Sequence, residues 1–186
     1  MPGVLSYESK KQTRSFHSFS EDVKRNRKFF HSFKFQEKIQ MKDAGDFEEF
    51  IKKGIVKKQS PNKFRAEFLI KESEKNYSFL LQLLDKFEIT DGNANTIIKL
   101  CYDILMETIR AKMLLDGYNA SGFEAHKAEV AYLKVLGFEE KDIKFADQMR
   151  YYRNGMLYYG TSLDKEYTEK VLEFTKRNYL KLKILK

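Results

Sequence analysis

The densest chemistry in the chain lies in Arg150-Tyr151-Tyr152-Arg153-Asn154-Gly155-Met156-Leu157-Tyr158-Tyr159-Gly160, which gathers two arginines, one asparagine and four tyrosines. A guanidinium presents a rigid fork of donors that matches phosphate oxygens. A tyrosine ring can stack on a base and its hydroxyl can bond a phosphate. On an ideal helix Asn154 and Tyr158 share a face, whereas Arg153 and Tyr158 stand about 140° apart. Arg153 and Tyr158 serve one site only if the helix loosens at Gly155 or if a partner subunit completes the cleft. The competing reading has the tyrosines wedged between helices and Arg150 and Arg153 paired with acids.

Other reactive groups are few. The histidines are His17, His31 and His126, and the one cysteine is Cys101. A Cys–His nucleophile would need Cys101 with His126. Cys101 falls on an apolar helical stripe and reads as core packing. His126, near the start of a short helix, reads as a surface or interface residue rather than a base. No GxGxxG or GxxxxGK[ST] is present to cradle phosphates, and no HExxH. Phe123-Glu124-Ala125-His126 stands alone, whereas a di-iron bundle needs paired Glu-x-x-His helices. The sequence therefore implies no metal and no cofactor, and a lone cysteine forms no intrachain disulfide.

These residues must be held by a scaffold, and composition indicates which kind. The 186 residues are 42% hydrophobic and 33% charged, with only 2 Pro and 9 Gly, which favours long uninterrupted helices around a core. The longest run free of Asp, Glu, Lys and Arg is Asn154 to Leu163. A membrane-spanning helix needs about 20 apolar residues, and Met1 to Ser20 has no apolar signal core. The expectation is a cytoplasmic protein without a membrane partner. The net charge of +8 is uneven: residues 1–42 hold ten Lys and Arg against four acids, a net +6, which leaves +2 for the rest. Phe16, Phe19, Phe29, Phe30, Phe33 and Phe35 lie among those cations. Residues 1–42 thus form a basic, aromatic extension, with a helix at about Glu21 to Gln40 capped by Ser20 and a composition compatible with single-stranded nucleic acid.

Residues 43–60 read as a short helix ending at Gly54 plus a linker, and residues 61–186 as a helical bundle. Its first long helix opens at Ser60-Pro61 and runs to about Phe87, with Phe64, Phe68, Tyr77, Leu80, Leu81, Leu84 and Phe87 as its apolar stripe. Asp91-Gly92-Asn93 is a turn. A second helix, about Ala94 to Leu115, is apolar on two sides and so central. Helices at about Phe123–Leu136, Glu139–Tyr159 and Asp164–Leu185 follow. Short connections favour antiparallel neighbours. The fold class is all-α, an up-and-down antiparallel bundle of four to five helices.

At this point the chain resembles the HEPN superfamily (higher eukaryotes and prokaryotes nucleotide-binding domain) over about Pro61 to Leu185. The resemblance rests on the helix order, on the long helix running into Ala111-Lys112-Met113-Leu114-Leu115-Asp116-Gly117-Tyr118, on Phe123-Glu124-Ala125-His126, and on Arg153-Asn154 in the penultimate helix. It implies a bundle that dimerises. Many prokaryotic members are toxin ribonucleases paired with nucleotidyltransferase antitoxins, and they cleave RNA without metal. Their motif is Arg, commonly Asn, then four to six residues and His. Arg153 and Asn154 match its start. The His position falls on Tyr158, Tyr159 or Gly160, and no histidine follows Arg153. The resemblance therefore implies RNA or nucleotide binding at a dimer cleft through Arg150, Arg153, Tyr159 and His126, with Arg153, Asn154 and Tyr158 at the catalytic positions and weak or no cleavage. Two alternatives stay open: a non-catalytic dimeric module that partners a nucleotidyltransferase, and an active metal-independent ribonuclease using Tyr158 or His126.

Overall fold

The computed structural model describes residues 44–158 and 160–184. The basic extension and its expected helix lie outside the described residues, as do Tyr159 and Leu185. Six helices and one short ribbon make up the rest: α1 (Phe47–Lys52), β1 (Val56–Lys58), α2 (Lys63–Lys86), α3 (Asp91–Leu115), β2 (Tyr118–Ala120), α4 (Ala125–Val135), α5 (Glu140–Tyr158) and α6 (Lys165–Ile184). The protein is an all-α helical bundle.

Cross-contacts give the helix directions. On the α2–α3 seam, Ser73 and Thr108 hydroxyls meet at 2.9 Å and Asn76 Nδ2 donates to Glu107 at 3.1 Å, so the two helices run antiparallel. Helix α6 also opposes α2, with Glu74 on Lys183 at 2.9 Å and Tyr77 stacked on Tyr179 at 4.2 Å. It opposes α5 as well: Asp142 pairs with Arg177, Phe145 packs on Phe174 and Tyr152 on Tyr167. Helices α3 and α6 run side by side in the same direction, since the Lys165 amide caps onto Asp91 at their starts. The four long helices thus alternate up and down, and the shorter α4 packs against α3 and α5.

Helix α3 is the axis, as its two-sided apolar pattern predicts. Ile97, Ile98, Cys101, Ile104, Leu105, Ile109 and Ala111 are all buried. Burial pushes the Cys101 thiol up to about 12.

Several elements differ from the sequence expectation. Helix α1 is shorter, opening at Asp46, whose carboxylate accepts from the Glu48 amide. Asn62, not Ser60, caps α2, accepting from the Arg65 amide at 3.0 Å. The expected turn Asp91-Gly92-Asn93 is the first turn of α3, stabilised by Asn93 Oδ1 accepting from the Thr90 amide at 2.9 Å. The expected stripe on α2 is only partly realised: Leu80 is buried and Tyr77 and Leu84 pack against the core, but its other members do not. Phe64 is 85% and Phe68 58% exposed, and Leu81 and Phe87 are exposed too, while Ala66, Ser73 and Leu80 face the core. Small residues let α2 approach α3 closely enough for the Ser73–Thr108 bond, and a phenylalanine there would hold the helices apart. The ribbon is absent from the sequence reading: Val56, Lys57 and Lys58 pair antiparallel with Ala120, Asn119 and Tyr118. Among the described residues no helix is long and apolar enough to cross a membrane.

Candidate functional site

Helices α3, α4 and α5 bring a polar cluster together inside an otherwise apolar region. Its centre is Tyr102 on α3, whose ring is buried. From α5, Arg153 lays its guanidinium over that ring, 5.5 Å from the centroid. From α4, His126 Nδ1 lies 3.3 Å from the Tyr102 hydroxyl. Two turns along α3, Arg110 forms a bidentate pair with Glu129 of α4, Nε to Oε1 at 2.7 Å and Nη2 to Oε2 at 3.1 Å. The same Nη2 lies 3.1 Å from His126 Nδ1. Glu129 is only 4% exposed. A carboxylate so deeply buried persists because the guanidinium fork satisfies both of its oxygens.

The charges act on one another in a consistent direction. Burial raises the Tyr102 hydroxyl well above the ordinary tyrosine range, Glu129 raises it further, and Arg153, Arg110 and Arg150 pull it back. Tyr102 thus keeps its proton and donates. Burial works against the Arg110 charge, but the hydrogen bond and charge of Glu129 outweigh it and the guanidinium ends above its ordinary value. Around His126 Nδ1 two donors converge, the Arg110 N–H and the Tyr102 O–H. The tautomer that fits them accepts at Nδ1 and carries its proton on Nε2. Glu129 Oε2 also lies 3.2 Å from Nδ1, beside the bond it accepts from Arg110.

Of the residues singled out from sequence, Arg153, Arg150 and His126 gather around Tyr102. Arg150 also donates from Nε to the buried Asp147 at 2.6 Å, which is the acid pairing that the competing reading expected. Asn154 is half-buried and Tyr158 is 74% exposed, and neither makes a side-chain hydrogen bond to a described residue. Helix α5 continues through Tyr158, so Gly155 does not loosen it and Tyr158 stays turned away from Arg153. The glycine has another reason to be there: a Cβ would sit 3.0 Å from Thr161 Oγ1, where the chain folds back over the helix end. That return is tied to α3, with Asn95 Nδ2 donating to the Thr161 carbonyl at 2.9 Å and Asn95 Oδ1 accepting from the Leu163 amide at 3.0 Å. Tyr159 lies outside the described residues.

Sequence reasoning missed Tyr102, Arg110 and Glu129. A signal was present for two of them. Arg110 interrupts the apolar face of α3 between Ile109 and Ala111, and Glu129 interrupts Ala128-Glu129-Val130-Ala131 on α4. Opposite charges embedded in two apolar faces point to a buried pair. No protein-family model, no curated protein and no solved structure matches the chain.

Proposed function

We propose that this is a HEPN-like protein that binds RNA or nucleotide at a dimer cleft built on Arg153, with weak or no cleavage. One observation carries the reading: Arg153, Arg150, Arg110 and His126 arrive from three helices around a single buried tyrosine. Arg153 is held by its stacking on Tyr102 and has no acidic partner among the described residues, so its donors are available to a phosphate. The weak cleavage follows from the acid–base side. Tyr158 stands where the resemblance calls for histidine and faces away from Arg153. Loss of a positioned acid–base group costs about 10²–10⁴-fold.

Arg153→Ala is expected to weaken the affinity for single-stranded RNA about tenfold and to lower the salt dependence by about one phosphate contact. Unchanged affinity would overturn the assignment. A second reading, a non-catalytic dimeric module that docks a nucleotidyltransferase, draws support from the exposed phenylalanines of α2, Phe64, Phe68 and Phe79. Pull-downs in which Phe64→Ser with Phe68→Ser releases a partner would favour it. A ribonuclease using His126 draws support from the adjacency of His126 and Arg153 at Tyr102. RNA cleavage in EDTA, abolished by both His126→Ala and Arg153→Ala, would establish it.

A further inference from the structure

Helix α2 turns three phenylalanines away from the core: Phe64 is 85%, Phe68 58% and Phe79 56% exposed. At about 100° per residue they fall within about 60° of one another on the helix. Ala66, Ser73 and Leu80, which face the core, lie on the opposite side. An apolar row on a helix whose other side already seals the bundle marks an interaction surface.

The same outer face holds a shallow groove of about 470 Å³, lined by Lys71, Glu74, Lys75, Ser78, Phe79 and Gln82. In knobs-into-holes packing, a side chain of one helix enters a socket of four residues on the facing helix. Those four stand at i, i+3, i+4 and i+7. The groove residues make two such sockets in succession: one from Lys71, Glu74, Lys75 and Ser78, the next from Lys75, Ser78, Phe79 and Gln82. Ser78 belongs to both, and its small side chain leaves the floor open. Lys75 belongs to both as well. Glu72 draws its ammonium aside at 2.6 Å, so the methylene stem forms the shared wall. Two sockets one turn apart take two knobs one turn apart, and Phe64 and Phe68 have that spacing. With Phe68 of a second copy in the first socket and its Phe64 in the second, the two helices run antiparallel. The exchange is then reciprocal, as a closed two-fold pair requires. Phe79 packs against the partner's Phe64, and Lys71 comes within one turn of the partner's Glu74. A parallel pair in register would instead set Lys71 on Lys71 and Lys75 on Lys75. At about 200 Å² per ring, the six phenylalanines bring roughly 800 Å² of exposed apolar surface to the contact. Specific interfaces begin at about 1,200 Å² in total, and the lysine stems and Gln82 supply the remainder.

We infer that α2 is the interface of a homodimer in which Phe64 and Phe68 of each copy fill the Lys71–Gln82 groove of the other in antiparallel order. The interface belongs to α2 and lies apart from the Arg153 cleft of α3, α4 and α5, so the two readings stand or fall separately. Its two-fold axis passes beside Lys71. The two copies of Lys71 therefore face each other, whereas the two copies of Lys86 stand about 44 Å apart along the helices. Sedimentation of the full-length chain should show a dimer. Phe64→Ser with Phe68→Ser should raise its Kd at least about a hundredfold and leave Tm unchanged, since both side chains are exposed. Ser78→Arg, which fills both sockets, should dissociate it as well. Lys71→Cys should crosslink to its own copy with a short bis-maleimide and Lys86→Cys should not, while the buried Cys101 gives no background. A wild type that stays monomeric overturns the inference and leaves the phenylalanine face to a different partner. A dimer insensitive to the double serine variant overturns it too, because the contact then lies elsewhere. Failure of Lys71→Cys to crosslink, or crosslinking at both positions, overturns the antiparallel register.

Discussion

Glu129 shows how much one buried charge depends on its partner. Both of its oxygens are taken by Arg110, which is itself about a third exposed. Glu129→Gln leaves the guanidinium with one weakened bond and no counter-charge. Breaking a fully buried pair costs about 3–5 kcal/mol; the exposure of Arg110 reduces this, and a loss of about 2 kcal/mol in urea denaturation is expected. Arg110→Met with Glu129→Leu should recover most of it, because packing replaces the pair without stranding a charge. A double variant no better than the single would show that the charges themselves hold α3 to α4. Glu107 gives the opposite case. Burial raises its carboxyl above the ordinary glutamate range, and the Asn76 hydrogen bond only partly opposes this. An acid raised in the folded state binds its proton more tightly there, so it favours folding at low pH and counts against it as pH rises through the raised value. Glu107→Gln should therefore raise Tm at pH 7 and leave it unchanged below about pH 4.3, where the ordinary carboxyl is also protonated. Equal stabilisation at both pH values would show that ionisation is not the cause.

Among the elements, the turn after α3 is the most constrained. Gly117 has φ +77°, and a Cβ there would sit 2.5 Å from the Gln59 carbonyl oxygen. The Gly117 carbonyl in turn accepts from the Gln59 amide at 2.8 Å, continuing the β1–β2 ribbon. Gly117→Ala combines left-handed strain with a backbone clash and should cost at least about 2 kcal/mol. Gly122 has a similar φ of +88° but open space around it, so Gly122→Ala should cost about 1 kcal/mol. Equal losses in thermal unfolding would mean that the contact with Gln59 adds nothing. This turn was legible as a breaker because Asp116-Gly117 interrupts a periodic helix. The ribbon was not, because three residues paired across a long sequence separation leave no period-2 signature. The face of α2 was legible at Tyr77, Leu80 and Leu84 and misread at Phe64 and Phe68 for a related reason. Periodicity counts large apolar residues, whereas the α2–α3 contact is made by Ala66 and Ser73. Helix α3 was read correctly because bulky residues cover both its sides and leave no competing face.

At the scale of the whole molecule, the bundle architecture and most helix ends followed from apolar spacing and from Gly54 and Gly137 as stops. The polar cluster was half legible. Arg150, Arg153 and His126 stood out by residue type, but their meeting point required knowing that α4 and α5 both pack on α3. Tyr102 hid among the buried apolar residues of its helix, and its role is set by neighbours remote in sequence. The same central helix carries Cys101, the only thiol in the chain, at its fully buried middle, beside Thr175 of α6. A thiol reagent attacks the thiolate and needs access to the sulfur. It reaches this one only when α3 and α6 separate, an opening that dissolves the core of the bundle. Native-state labelling of Cys101 should therefore run as slowly as global unfolding and steepen in urea with the full surface dependence. Fast, urea-insensitive labelling would reveal that the two helices part on their own. Nature has placed a single-event counter at the axis of the fold, and no added probe is needed to read it.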